Sequence, residues 1–179
     1  MLWGAVSGAL ELRATDGGVR VSGRFPYNSE TELAPGRAEI VASEAFQWDD
    51  DALFLFQHDM ARPLASIRAG SLNLRNSADA LEFEAHVDGG TSWGRDFEAA
   101  LRSNLVTGLS PGFRVARGGE RVERRGDGVV RTITRAELVE LSAVTRPAFP
   151  SAQVESRNWQ AAHEAPDAGL RRALARWRA

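Results

Sequence analysis

The alternation of apolar and polar positions predicts a chain built mainly of β-strands. Side chains alternate from Ala9 to Arg13 and again from Val19 to Arg24, with Gly17-Gly18 as the turn between them. Residues 26–37 carry Asn28, Ser29, Pro35 and Gly36 and read as a loop. Leu53-Phe54-Leu55-Phe56 is an unbroken apolar run, the pattern of a strand covered on both faces. Further strands are expected over Ala65–Leu74 and Leu81–Val87, separated by residues 76–79. The period then changes. Trp93, Phe97 and Leu101 recur at every fourth position, which predicts a helix over Trp93–Ser103 with Thr91 or Ser92 as its N-cap. Asn104 tolerates the left-handed conformation that ends such a helix.

Strand character returns over Thr107–Ala116. A charged hairpin through Gly118-Gly119 and Gly126-Asp127-Gly128 follows, and then strands over Val129–Thr134 and Leu138–Thr145. The expected fold class is therefore mainly β with few helices, a closed or nearly closed β-barrel with one inserted helix. After Pro147 and Pro150 the composition shifts, and Ser151–Asp167 is polar. Leu170, Leu174 and Trp177 mark a short amphipathic helix, whose Arg171, Arg172, Arg176 and Arg178 suit its C-terminal dipole end. The expected organisation is a barrel domain over residues 1–150 and a helical tail over 151–179.

Composition narrows the function. The 179 residues suffice for one domain with a real core, and 43% hydrophobic with 26% charged is ordinary for a globular protein. No apolar run is long enough to span a membrane, so no membrane partner is expected. Residues 1–10 are mildly apolar but carry no basic residue, and are not read as a signal peptide. The absence of cysteine removes disulfides, thiol nucleophiles and cysteine-ligated zinc, and fits a cytoplasmic protein. No cofactor or metal is expected. A net charge of −2 argues against general nucleic-acid binding. All 22 basic residues are arginine, which rules out a serine–lysine dyad.

On the strand Thr107–Val115, Leu109, Phe113 and Val115 point one way, and Ser110, Gly112 and Arg114 the other. Ser110 is thus expected on the non-core face, beside a glycine that leaves space for a substrate backbone. A serine is a poor nucleophile without an adjacent base. Of the three histidines, His58 ends an apolar strand able to hold its ring rigidly, His86 lies on another strand, and His163 falls in the tail. Glu140 shares a side with Ser142, opposite Val139, Leu141 and Ala143, which makes it a carboxylate on the open face of a strand. Such a group can orient His58 and stabilise its imidazolium; Asp59 is an alternative for that role, and a site without a third member is another. His58, Ser110 and Glu140 together suggest a serine peptidase with strand-borne catalytic residues. Gly108-Leu109-Ser110-Pro111-Gly112 also matches the G-x-S-x-G nucleophile elbow literally. That identity fails: the elbow needs a helix after the serine and a backbone N–H that Pro111 lacks, and the chain shows no β/α alternation.

With these segments in this order, the chain resembles the prohead (procapsid maturation) serine proteases of tailed phages and gene-transfer agents, relatives of herpesvirus assemblins. The resemblance runs over about residues 18–152. It is carried by Gly23-Arg24-Phe25, by Glu39–Phe46, by His58-Asp59 followed by Pro63-Leu64-Ala65, by Leu109–Phe113 and by Glu140–Ala148. It implies a barrel with the family's histidine at His58 and its serine at Ser110, and the second histidine that assemblins use makes His86 an alternative to Glu140 as the third member. It also implies a biological role, in which the enzyme cuts scaffold sequence inside an immature capsid and trims itself. The expected partners are then the major capsid protein, scaffold segments and the chain itself, inside the assembling procapsid. Two positions depart from the family pattern. Pro111 replaces a bulky apolar residue, and Asn104 stands where glycine is common. A non-catalytic capsid-assembly component of the same fold, or a β-barrel that binds a small ligand between His58 and Ser110, are the competing readings.

Overall fold

Most strands form where the alternation predicts them, and among the described residues one helix interrupts them. The computed structural model describes residues 2–3, 10–15 and 17–145. In chain order these form β1 (Leu2–Trp3), β2 (Leu10–Thr15), β3 (Gly18–Pro26), β4 (Thr31–Ala34), β5 (Arg37–Val41), β6 (Phe46–Gln47), β7 (Leu53–Phe56) and β8 (Pro63–Ser66). Then come β9 (Leu72–Asn76), β10 (Ala80–Asp88), the helix α1 (Ser92–Arg102), β11 (Gly108–Val115), β12 (Glu120–Arg125), β13 (Gly128–Ile133) and β14 (Ala136–Val144). The protein is mainly β. The polar stretch 151–167, the helix expected around Leu170, Leu174 and Trp177, and His163 all lie outside the described residues. No helix among the described residues is long and apolar enough to cross a membrane.

The described strands make three sheets with no closed barrel among them, which corrects the expected barrel. One sheet has the order β1-β11-β14-β7-β8, with β6 also paired to β14; the others run β2-β3-β10-β9 and β12-β13-β5-β4. The cause lies at residues 67–71. A single strand over Ala65–Leu74 is expected, but Gly70 takes a φ of +67° and donates its N–H to the carbonyl of Ile67 at 2.8 Å. The Ser66 hydroxyl accepts from the N–H of Ala69 at 3.1 Å. Such a turn, which glycine adopts without strain, moves the chain from the first sheet at β8 to the second at β9, so no ladder closes the first sheet. A second correction concerns the expected loop over 26–37. Thr31–Ala34 is a strand, paired antiparallel with β5 through a turn in which Gly36 has a φ of +72°.

The helix follows its signals closely. The Thr91 hydroxyl caps it by accepting from the N–H of Gly94 at 3.0 Å. At its other end Asn104 has a φ of 55°, with Asn104 N–H bonded to Leu101 O at 3.0 Å and Leu105 N–H to Ala100 O at 2.9 Å. Those paired bonds are the Schellman arrangement.

Two apolar clusters fill the interior. One gathers Val21, Phe54, Phe83, Phe97, Leu109 and Leu141; the other gathers Phe25, Phe46, Leu81, Phe113, Ile133 and Leu138. Strands β11 and β14 feed both. On β14 the step from Leu138 to Leu141 breaks strict alternation, because a bulge lies between Gly112 and Phe113: Gly112 pairs with Glu140 but Phe113 pairs with Leu138. Val139 is the extra residue. It is half-buried instead of set against the core beside Leu141, and Leu138 takes the core position in its place. Phe54 anchors the first cluster, its ring centroid 4.9 Å from that of Phe83 and 5.9 Å from that of Phe97. Phe54→Ala is expected to cost about 3–5 kcal/mol of stability, read as a lower urea midpoint. A loss below about 1 kcal/mol would show that the cavity collapses without penalty.

Candidate active site

Strand β14 runs through the middle of its sheet, and both edges matter. Along one edge Ser110 lies opposite Ser142 and Gly112 opposite Glu140. Along the other, β7 runs parallel, with Leu53 beside Glu140, Leu55 beside Ser142 and Phe56 beside Ala143. Just past Phe56 the chain turns back. Gln57 and His58 both have positive φ, 55° and 60°, and Asp59 N–H bonds to Phe56 O at 3.1 Å. Two successive left-handed residues closed by such a bond follow the type I′ pattern, which normally calls for Asn-Gly. For side chains such as Gln and His each left-handed position costs roughly 1–2 kcal/mol. Tertiary hydrogen bonds hold the turn in place. Gln57 N–H bonds to Ala143 O at 3.0 Å, and His58 N–H to the Ser142 hydroxyl at 3.2 Å.

This turn aims the imidazole at the strand pair. His58 Nδ1 lies 3.0 Å from Glu140 Oε1, and the Ser142 hydroxyl donates to Glu140 Oε2 at 2.5 Å. Glu140 is fully buried (0% exposed), and Ser110 is 4% exposed. The His58 side chain keeps 25% of its surface open. A carboxylate can only accept hydrogen bonds, so Nδ1 carries the proton and Nε2 of the neutral ring is left as the basic nitrogen. Each oxygen of Glu140 has a donor, as a buried charge requires.

Two expectations change here. Glu140 and Ser142 do share one side of β14, but that side is not open: the turn bearing His58 folds onto it and buries both. The space over Gly112 is likewise taken from within. A Cβ at Gly112 would lie 2.1 Å from Glu140 Oε1 and 2.9 Å from its Cδ. The glycine therefore makes room for the carboxylate, where space for a substrate backbone was expected. Gly112→Ala should push aside the very oxygen that meets His58. Its expected effect is a fall of about 100-fold in kcat, the size of loss that misplacement by an ångström brings. Steady-state kinetics on a peptide substrate would show it; a kcat within threefold of the parent would mean that Glu140 relaxes freely.

The other sequence candidates sit elsewhere. The Asp59 carboxylate accepts from Ala61 N–H at 3.0 Å and from Arg62 Nε at 2.7 Å. The Ala61 bond and, after it, the Arg62 bond hold its carboxyl below the usual aspartate value. His86 is exposed on β10, opposite Arg20 of β3, in the second sheet. Arg131 is buried in the third sheet and bonds Glu39 at 3.0 Å and Glu120 at 2.6 Å. Sequence reasoning passed over Ser142 as a contributor. Its signal was present: it has the parity of Glu140, two residues on along the same strand. A cleft of about 210 Å³ lined by Phe56, Gln57, Asp59, Arg62, Trp93 and Asp96 borders the His58 turn.

A strand serine set across a ladder from a buried, histidine-bound carboxylate suits acyl transfer by a serine hydrolase. The comparison with protein families narrows this class to a single group. Residues 7–165 match the family model described as caudovirus prohead serine protease, and the chain belongs to that family of serine peptidases. No curated protein and no solved structure gives a significant match.

Proposed function

We propose that this chain is a serine endopeptidase that cuts capsid and scaffold protein inside the procapsid, and cuts itself, using Ser110, His58 and Glu140. Residues 1–150 form the peptidase domain in this reading, and 151–179 a tail that is itself a candidate for removal. The observation that carries it is the 3.0 Å contact of His58 Nδ1 with the buried Glu140, whose cross-strand partner Gly112 lies two residues from Ser110. His58 Nε2 takes the proton of Ser110 as the hydroxyl oxygen attacks the scissile carbonyl. Glu140 holds the ring in that tautomer and stabilises the imidazolium. His58 then gives the proton to the leaving amine, and water repeats the sequence on the acyl-enzyme. The oxyanion needs backbone donors. Pro111 has no N–H, so the donors come from Gly112 or from a neighbouring loop. The cleft beside the His58 turn is the place for a substrate side chain.

Pro111 favours a second reading, a component that binds capsid or scaffold protein without cutting. Intact mass over time separates the two, with the purified chain incubated alone and with the major capsid protein of the same particle. New N-termini in the capsid extension or in residues 151–179 support the peptidase. Unchanged masses in a mixture that still assembles would replace it with the binding role.

A further inference from the structure

We propose that Ser142 is a positioning residue of this site, which locks the His58 turn and the Glu140 carboxylate into one fixed geometry. The inference rests on the peptidase reading above and adds a residue to it. The buried Ser142 hydroxyl has one proton to give and lone pairs to accept with. His58 N–H can only donate, so at 3.2 Å the Ser142 oxygen accepts there. Its own proton then goes to Glu140 Oε2, 2.5 Å away. One hydroxyl thus joins the backbone of the proposed base to the side chain of its orienting acid, from a strand position directly opposite Ser110.

The local accounting makes the arrangement specific. Three consecutive N–H groups leave β7, those of Gln57, His58 and Asp59. The first is taken by the carbonyl of Ala143 and the third by that of Phe56. Only the middle one goes to a side chain. That is also the residue whose left-handed backbone aims the ring. The neighbours of Ser142 on β14, Leu141 and Ala143, are buried and apolar, so packing alone would accept alanine here. With alanine, His58 N–H loses its acceptor and Oε2 of a fully buried carboxylate loses its donor. The carboxylate is then free to rotate away from Nδ1, and the turn to relax.

The test uses the full chain and a fluorogenic peptide spanning a cut site mapped on the capsid protein. Ser142→Ala is expected to lower kcat by about 10- to 100-fold, with KM within about twofold because the peptide itself is untouched. The melting temperature should stay within a few degrees. A spectroscopic signature accompanies the loss: the proton resonance of His58 Nδ1–H in isotope-labelled protein moves or broadens beyond detection. Ser142→Thr, which keeps the hydroxyl, should restore both; Ser142→Cys is the second choice if the added methyl prevents folding. A Ser142→Ala protein with parental kcat overturns the inference, as does a loss that merely tracks the unfolded fraction while the His58 resonance stays in place. If Ser110→Ala also leaves hydrolysis unchanged, the assignment of Ser110, His58 and Glu140 as the site falls and takes this one with it. If Ser110→Ala abolishes cutting while Ser142→Ala does not, only the role of Ser142 is lost.

Discussion

Ser110→Ala should remove cutting of the capsid protein and of the chain itself, with kcat reduced by about 10⁶-fold, the scale seen when a triad nucleophile is deleted. The residual rate would come from binding and oxyanion donors alone. Alanine keeps the strand geometry and removes one oxygen from a site that is 4% exposed, so the fold should survive. Its register opposite Ser142 should survive as well. The measurement is intact mass and single-turnover kinetics on the same peptide, beside labelling by a fluorophosphonate that modifies only activated serines. The parent should be labelled at Ser110 and the variant not at all. Labelling of the variant at another serine would move the nucleophile elsewhere. Equal cutting by both proteins would end the assignment.

Glu140→Gln is expected to cost about 10⁴-fold in kcat, for a reason distinct from unfolding. The amide is nearly isosteric, but it brings an NH₂ group into a pocket where two donors already converge, His58 Nδ1–H on one oxygen and the Ser142 hydroxyl on the other. Turned one way, the NH₂ faces Nδ1 and forces the ring proton onto Nε2, the nitrogen that must accept from Ser110. Turned the other way, it competes with the Ser142 proton and leaves the imidazolium without its counter-charge. The donor left unpaired in this buried pocket costs about 1–3 kcal/mol, so the melting temperature should fall by several degrees while the protein stays folded and activity disappears. A kcat within tenfold of the parent would remove Glu140 from the mechanism and return attention to Asp59 and His86.

The residues of the candidate site were legible because each falls within a short segment of clear pattern. His58 closes an apolar run, Ser110 and Gly112 share a strand parity, and so do Glu140 and Ser142. What the sequence concealed depends on pairing between distant segments. The bulge opposite Gly112 shifts Leu138 into the core and Val139 out of it, and no local alternation reveals which strand will carry the extra residue. The role of Gly112 appears only once Glu140 is known to be its cross-strand partner. The barrel expectation failed for the same reason: strand count says nothing of how the turn at residues 67–71 redirects the chain. Short strands such as Thr31–Ala34 go unseen because four residues beside Pro35-Gly36 look like any loop until β5 pairs with them.

The order in which the sheet is joined has a consequence for synthesis. Strand β14, made after every other described strand, is the one that lies between β11 and β7. Until residue 144 has left the ribosome, β1-β11 and β7-β8 have no common partner, and the proposed base has no carboxylate to hold it. Long-range pairings of this kind form late, after the loops between them have been closed. A chain that stops short of β14 therefore lacks the assembled candidate site by its own topology.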